Sequence, residues 1–196
     1  MALRPIVACL AVLGLAGLCA CDRKDSNKQD DPPAAGQTKT ITVRSGAFNA
    51  DEKIPKKYTG EGENVSPPIR WTGVPAGAKE LALIVDDPDA PRKDPFVHWV
   101  LYSVPATVKS LTEGTEKTAE PSSPQGARQG QNSAGTVGYT GPMPPPGHGV
   151  HHYHFHLYAL DKALDIKPEM QKEQVLDAIH GHILAEGELV GTYERK

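Results

Sequence analysis

From Thr40 onward the apolar residues recur at every second position or in short unbroken runs, the spacing of strands. Ile41 and Val43, with Ala47 beyond them, open a first alternating segment. Leu81-Ala82-Leu83-Ile84-Val85 is a continuous apolar run that stops at Asp86, Asp87 and Pro88. A run this short has strand length, so it predicts a strand buried on both faces. Val97 to Val104, which holds His98, Trp99 and Tyr102, predicts a second strand, and Val150 to Leu160 a third. In the third, alternation puts His151, Tyr153, Phe155 and Leu157 on one face and His152, His154 and His156 on the other. The first face becomes apolar further along and is expected to point inward, with His151 and Tyr153 at the mouth of the core.

One helix is predicted, over about Glu169 to Ile179. Pro168 suits a first helical turn, and Glu169 lies where the helix dipole favours negative charge. Val175, Leu176 and Ile179 form an apolar stripe, and Gly181 ends the segment. Ile183 to Tyr193 predicts a final strand, although Gly187 and Gly191 count against it.

The first forty residues carry a different pattern. Arg4 precedes an apolar run from Ile6 to Leu18, shorter than the roughly 20 residues that span a bilayer. The run ends in Leu18-Cys19-Ala20-Cys21 and gives way to Asp22-Arg23-Lys24-Asp25. This resembles a bacterial lipobox, with Cys21 as the residue to be lipidated and Cys19 standing where a small residue is usual. The alternatives are an ordinary signal peptide cut after Ala20, or an uncleaved anchor, which the short run disfavours. Residues 1–20 are therefore expected to be a signal peptide of lipoprotein type and 21–40 a polar, flexible tether, Pro32 to Gly36 included. Residues 41–196 form the folded domain. The expected location is outside the cytoplasm, lipid-anchored at the cell membrane. Asp22 after the cysteine resembles a signal for retention at the inner membrane of a Gram-negative cell.

Composition narrows the function. Eighteen prolines and nineteen glycines suit a loop-rich β protein and not a helical bundle. The formal net charge is -3, which leaves no basic face for nucleic acid. All three cysteines precede Asp22, so the folded domain has no disulfide framework and no thiolate metal site. Gly-x-Ser-x-Gly, His-Glu-x-x-His and phosphate-loop patterns are missing, and the expectation is that the protein is not an enzyme.

The candidate chemistry gathers at two loops. Asp86-Asp87-Pro88-Asp89-Ala90-Pro91 follows the first buried run, where prolines fix a rigid bend and Pro91 is a candidate for a cis bond. His98 lies a few residues on, at the start of the next strand. If the strands run close, Asp87 or Asp89 is expected to favour its protonated form, which could pair with an anion. The second loop is Gly138-Tyr139-Thr140-Gly141-Pro142-Met143-Pro144-Pro145-Pro146-Gly147-His148-Gly149, too rich in glycine and proline for a helix or central strand.

In this order and spacing, Asp87-Pro88-Asp89-Ala90-Pro91, His98-Trp99 and the stretch from Gly138 to Asp161 resemble the phosphatidylethanolamine-binding protein family, also called Raf kinase inhibitor-like proteins. Gly126-Ala127-Arg128-Gln129-Gly130-Gln131-Asn132 is similar as well, and the likeness is to the bacterial YbhB/YbcL-type branch. The resemblance spans roughly Thr40 to the end. It implies a mainly β, Greek-key β-sandwich with short flanking helices, and a surface pocket for a small anion or phosphorylated head group. On matching positions that pocket is built from Asp87, Asp89, His98, Gly141, Pro142, His151 and Tyr153. It also implies a possible inhibited or regulated partner, a protease being more compatible with an exported domain than a kinase; no cofactor is implied. Two positions depart from the pattern: His152 replaces a common arginine, and Ser103 a common asparagine. The rival reading is a metal-binding histidine strand built on His152, His154 and His156, with His148 as a further donor.

Overall fold

The structure is a computed structural model that describes residues 39–196. Cys21, the expected signal peptide (1–20) and nearly all of the expected tether (21–40) lie outside the described residues. Among the described residues nine strands appear in chain order: β1 (Lys39–Thr40), β2 (Thr42–Ser45), β3 (Ile69–Thr72), β4 (Glu80–Asp87), β5 (Phe96–Pro105), β6 (Ser110–Leu111), β7 (Arg128–Gln129), β8 (Val150–Leu160) and β9 (Ile183–Glu194). They form a six-stranded sheet ordered β1-β9-β8-β4-β5-β7 and a three-stranded sheet ordered β2-β3-β6. All pairings between these strands are antiparallel except that of β1 with β9.

The main core lies between the sheets. Val43, Ile69 and Trp71 of the smaller sheet pack with Leu81, Leu83, Val85, Trp99, Leu101, Phe155 and Leu157 of the larger. Residues of β4 and β5 that point the other way, Ala82, Val100 and Tyr102, are covered by Val175 and Ile179 of α1 (Lys172–Ile179), the one α-helix among the described residues. β4 is therefore buried on both faces, as its unbroken apolar run predicts. The inward face of β8 is also as predicted, since His151, Tyr153, Phe155 and Leu157 are all buried.

Two expectations are corrected, and the predicted final strand is borne out in spite of its glycines. The helix starts at Lys172, not near Glu169: Gln171 caps it in a reciprocal bond with Gln174. Glu169 has φ +64°, and the backbones of Glu169 and Met170 are taken up by Gln129 and Gln131. Residues 168–170 thus serve the edge of the sheet, which outweighs the Pro-Glu helix-start signal. The final strand is continuous through Gly187 and Gly191, and its glycines are close-approach positions. A Cβ on Gly187 would lie 2.0 Å from the carbonyl oxygen of Ile41, and one on Gly191 would lie 2.6 Å from Phe48. The second correction is Pro91, whose peptide bond is trans; the cis X–Pro bond among the described residues is Ser123–Pro124. The turn after β4 is closed instead by the Asp87 carboxylate, which accepts the Asp89 amide at 2.9 Å.

Candidate functional site

The site forms where the C-terminal end of β4, the start of β5 and the start of β8 meet under the glycine-proline loop. In the antiparallel register Asp87 pairs with Phe96, and Asp86 with both Val97 and His154. His98 and His151, far apart in sequence, are brought beside the same carboxylate. The loop is held down from outside the strands. Gly141 donates its amide to Asn64 Oδ1 at 2.7 Å, Pro142 O accepts the Gly60 amide at 2.9 Å, and the Tyr139 hydroxyl donates to Tyr58 O at 2.7 Å. Only glycine fits at position 141, because a Cβ there would lie 2.4 Å from Tyr58 O.

A cavity of about 450 Å³ opens here, walled by Asp87, His98, Thr140, Gly141 and His151 and rimmed by Arg92, Phe96, Met143 and Pro144. Asp87 is buried and bonded through both oxygens, each with acceptor capacity left: Oδ2 accepts from His151 Nδ1–H at 2.7 Å while Oδ1 holds the Asp89 amide. That bond fixes the tilt of the His151 ring. Its other nitrogen, Nε2, lies 2.7 Å from His148 Nδ1, and the two share a proton. His148 thus extends a carboxylate–imidazole–imidazole chain from the cavity wall to the exposed loop.

His98 is arranged differently. Its Nδ1–H donates to the Thr140 carbonyl at 2.7 Å. Burial pushes its imidazole down to about 4, outweighing the opposing pull of the Thr140 carbonyl and of the Asp87 and Asp86 charges. His98 is therefore neutral near pH 7, which corrects the protonated form expected from sequence. The expected carboxylate neighbour is present, but desolvation of a side chain only 4% exposed is the larger effect. With Nδ1 carrying the proton, Nε2 is an acceptor. The Tyr153 ring lies between the two histidines, edge-on to His98 at 5.1 Å and stacked on His151 at 6.5 Å. Its hydroxyl is buried with no hydrogen-bond partner among the described residues, and burial pushes its ionisation far up.

Of the residues predicted for the pocket, Asp87, His98, Gly141 and His151 line it. Tyr153 stands behind the two histidine rings, and Pro142 anchors the loop through its carbonyl. Asp89 turns outward, where Oδ2 accepts both the amide and Nδ1–H of His152 at 2.8 Å. Burial raises the Asp89 carboxyl, but these bonds and the His152 charge outweigh it and hold the group below its ordinary value. The same contact divides the rival histidine face. His152 faces Asp89, His148 faces His151, and only His154 and His156 converge, on Glu188. Sequence reasoning missed Arg92, Phe96, Thr140 and Asn64. The exposed arginine carried no pattern, and Asn64 contributes through a loop contact that only the fold creates.

A profile of the family described as phosphatidylethanolamine-binding protein matches residues 44–194, most of the chain and all of the cavity wall. The chain belongs to the phosphatidylethanolamine-binding protein family. A UPF0098 protein of Methanothermobacter thermautotrophicus is 48% identical over 155 residues, covering 79% of this chain and 99% of that protein. A UPF0098 protein of Aquifex aeolicus is 44% identical over 156 residues, covering 79% and 89% respectively. Among solved structures, Escherichia coli YbcL, described as a member of the mammalian PEBP family, superimposes with a TM-score of 0.75 at 33% identity. That match covers 80% of this chain and 99% of YbcL. The two-sheet architecture and the cavity at the end of β4 therefore belong to a chain of the phosphatidylethanolamine-binding family.

Proposed function

We propose that this chain is a YbcL-type binding module that holds a small anion or phosphorylated head group in the cavity between Asp87, His98 and His151. The observation that carries the reading is the split polarity of the cavity. Its wall presents acceptors, the Asp87 carboxylate and Nε2 of neutral His98, while the cationic group at its rim is Arg92. A bare dianion would meet two acceptors in the wall. A zwitterionic head group such as phosphoethanolamine fits both ends, its ammonium toward Asp87 and His98 and its phosphate toward Arg92. Phe96, Met143 and Pro144 add an apolar shoulder for the carbons between them.

Calorimetric titration with phosphoethanolamine and with inorganic phosphate tests this. The wild type should bind phosphoethanolamine the more tightly, and His98→Ala should weaken it about tenfold or more, the usual worth of a hydrogen bond to a charged group. Arg92→Ala should weaken both ligands. Equal affinity in wild type and His98→Ala overturns the assignment.

A further inference from the structure

A second cluster lies on the opposite face of the same strand, outside the cavity. His154 and His156 are two residues apart on β8, so their imidazoles leave the sheet on one side, and the rings stack with centroids 5.7 Å apart and 15° between planes. Across the ladder, β9 places Glu188 directly opposite His156. One carboxylate oxygen, Glu188 Oε1, is 2.7 Å from His154 Nδ1 and 3.4 Å from His156 Nδ1. Two imidazole nitrogens thus converge on a single anionic oxygen, and the three ligand atoms all lie within 4.8 Å of one another.

We propose that His154, His156 and Glu188 form a binding site for a divalent transition-metal ion of the zinc type. The donor set, two imidazoles and a carboxylate, is one that such ions accept. Tetrahedral coordination at ~2.0–2.1 Å needs ligand atoms roughly 3.3 Å apart, so rotamer adjustments of about an ångström bring the three into place. The side chains are free to make them, being 27%, 32% and 43% exposed. Coordination through Nδ1 requires the tautomer that carries its ring proton on Nε2. Behind His156, Asp86 Oδ1 lies 3.8 Å from Nε2, close enough for a small ring rotation to make a hydrogen bond from that N–H. Asp86 is buried and its other oxygen is held by Lys172, so a fixed carboxylate stands behind one of the metal-binding imidazoles. Solvent completes the coordination on the open side. Nothing in this site depends on the occupant of the cavity.

Zinc titration of the full chain against a competing chromophoric chelator tests the site. His154→Ala, His156→Ala and the near-isosteric Glu188→Gln should each weaken one zinc equivalent at least tenfold. His152→Ala, which alters neither the donors nor Asp86, should leave that equivalent unchanged. The cysteines at 9, 19 and 21 are present in every variant, so differences between variants isolate the strand site. Far-UV circular dichroism shows that each variant folds, and cobalt absorption bands lost with Glu188→Gln give a second readout. The proposal is overturned if the His154→Ala/His156→Ala double variant titrates like wild type, or if zinc uptake falls only with His152→Ala.

Discussion

The two faces of β8 use the same residue type for opposite ends. On the inner face His151 is buried, bound to the buried Asp87 carboxylate, and locked in one orientation by it. On the outer face His154 and His156 are half-buried, share an exposed carboxylate, and keep the freedom to turn. Three positions along the strand separate a histidine that is part of a rigid wall from one that can be recruited by a ligand. What differs is access to water, which sets both the energetic cost of leaving a polar atom unpaired and the freedom to exchange its partner. His98 sharpens the contrast, because burial above all keeps it neutral with carboxylates close by.

The largest way to break this comparison is to remove the inner carboxylate. Asp87→Ala leaves the His151 Nδ1–H and the Asp89 amide without their acceptor, and breaking a buried pair of this kind costs roughly 3 kcal/mol or more. Glu188→Gln on the outer face should cost under about 1 kcal/mol, since its partners are open to water. Urea melts of the two variants at pH 7 make the measurement. Similar losses in both would show that the inner pair is no more costly to break than the outer.

The next effect is one of pH. In the unfolded chain His98 takes up a proton at its ordinary value of 6.5, and in the folded protein only at about 4. Between those values the unfolded state binds more protons, so stability rises with pH: the contribution is complete above pH 6.5 and is lost as pH falls toward 4. The loss from this one group amounts to roughly 3 kcal/mol. His98→Gln carries no titrating ring and should flatten the dependence between pH 6.5 and 4.5, even though it lowers stability at pH 7. Parallel curves for the two proteins would place the acid sensitivity elsewhere.

How much of this is written in local pattern follows from which forces are local. The double-sided burial of β4 and the inward face of β8 were legible because period and run length report burial directly. The helix start was misplaced because residues 169 and 170 bond across to Gln129 and Gln131, a demand no window of neighbouring residues contains. Gly187 and Gly191 read as strand breakers, yet they let Ile41 and Phe48 come close. In the site, family likeness located Asp87, His98, Gly141 and His151 in the wall. The charge state of His98, the outward turn of Asp89 and the pairing of His154 and His156 with Glu188 arise only when distant strands are set in register. β3, β6 and β7, at two to four residues each, are too short to register as a pattern.

The smallest prediction concerns the outward pair of Asp89 and His152, the surface counterpart of Asp87 and His151. The contact distances are nearly the same, 2.8 Å outside and 2.7 Å inside. If geometry alone set the energy, Asp89→Asn and Asp87→Asn would cost alike. Exposure argues otherwise: the outer partners are 41% and 49% exposed, where ion pairs are worth ~0–1 kcal/mol and are screened by salt. Asp89→Asn should therefore lower stability at pH 7 by under about 1 kcal/mol, an amount that shrinks in molar salt. Because the Asp89 carboxyl is held below its ordinary value, what it contributes is present above that value and fades as pH falls through the lower, folded one. The Asp87→Asn loss should persist in salt, because its pair is shielded from the solvent that carries the ions. A salt-insensitive loss of equal size at both positions would show that contact geometry, not access to water, sets the energy of these pairs.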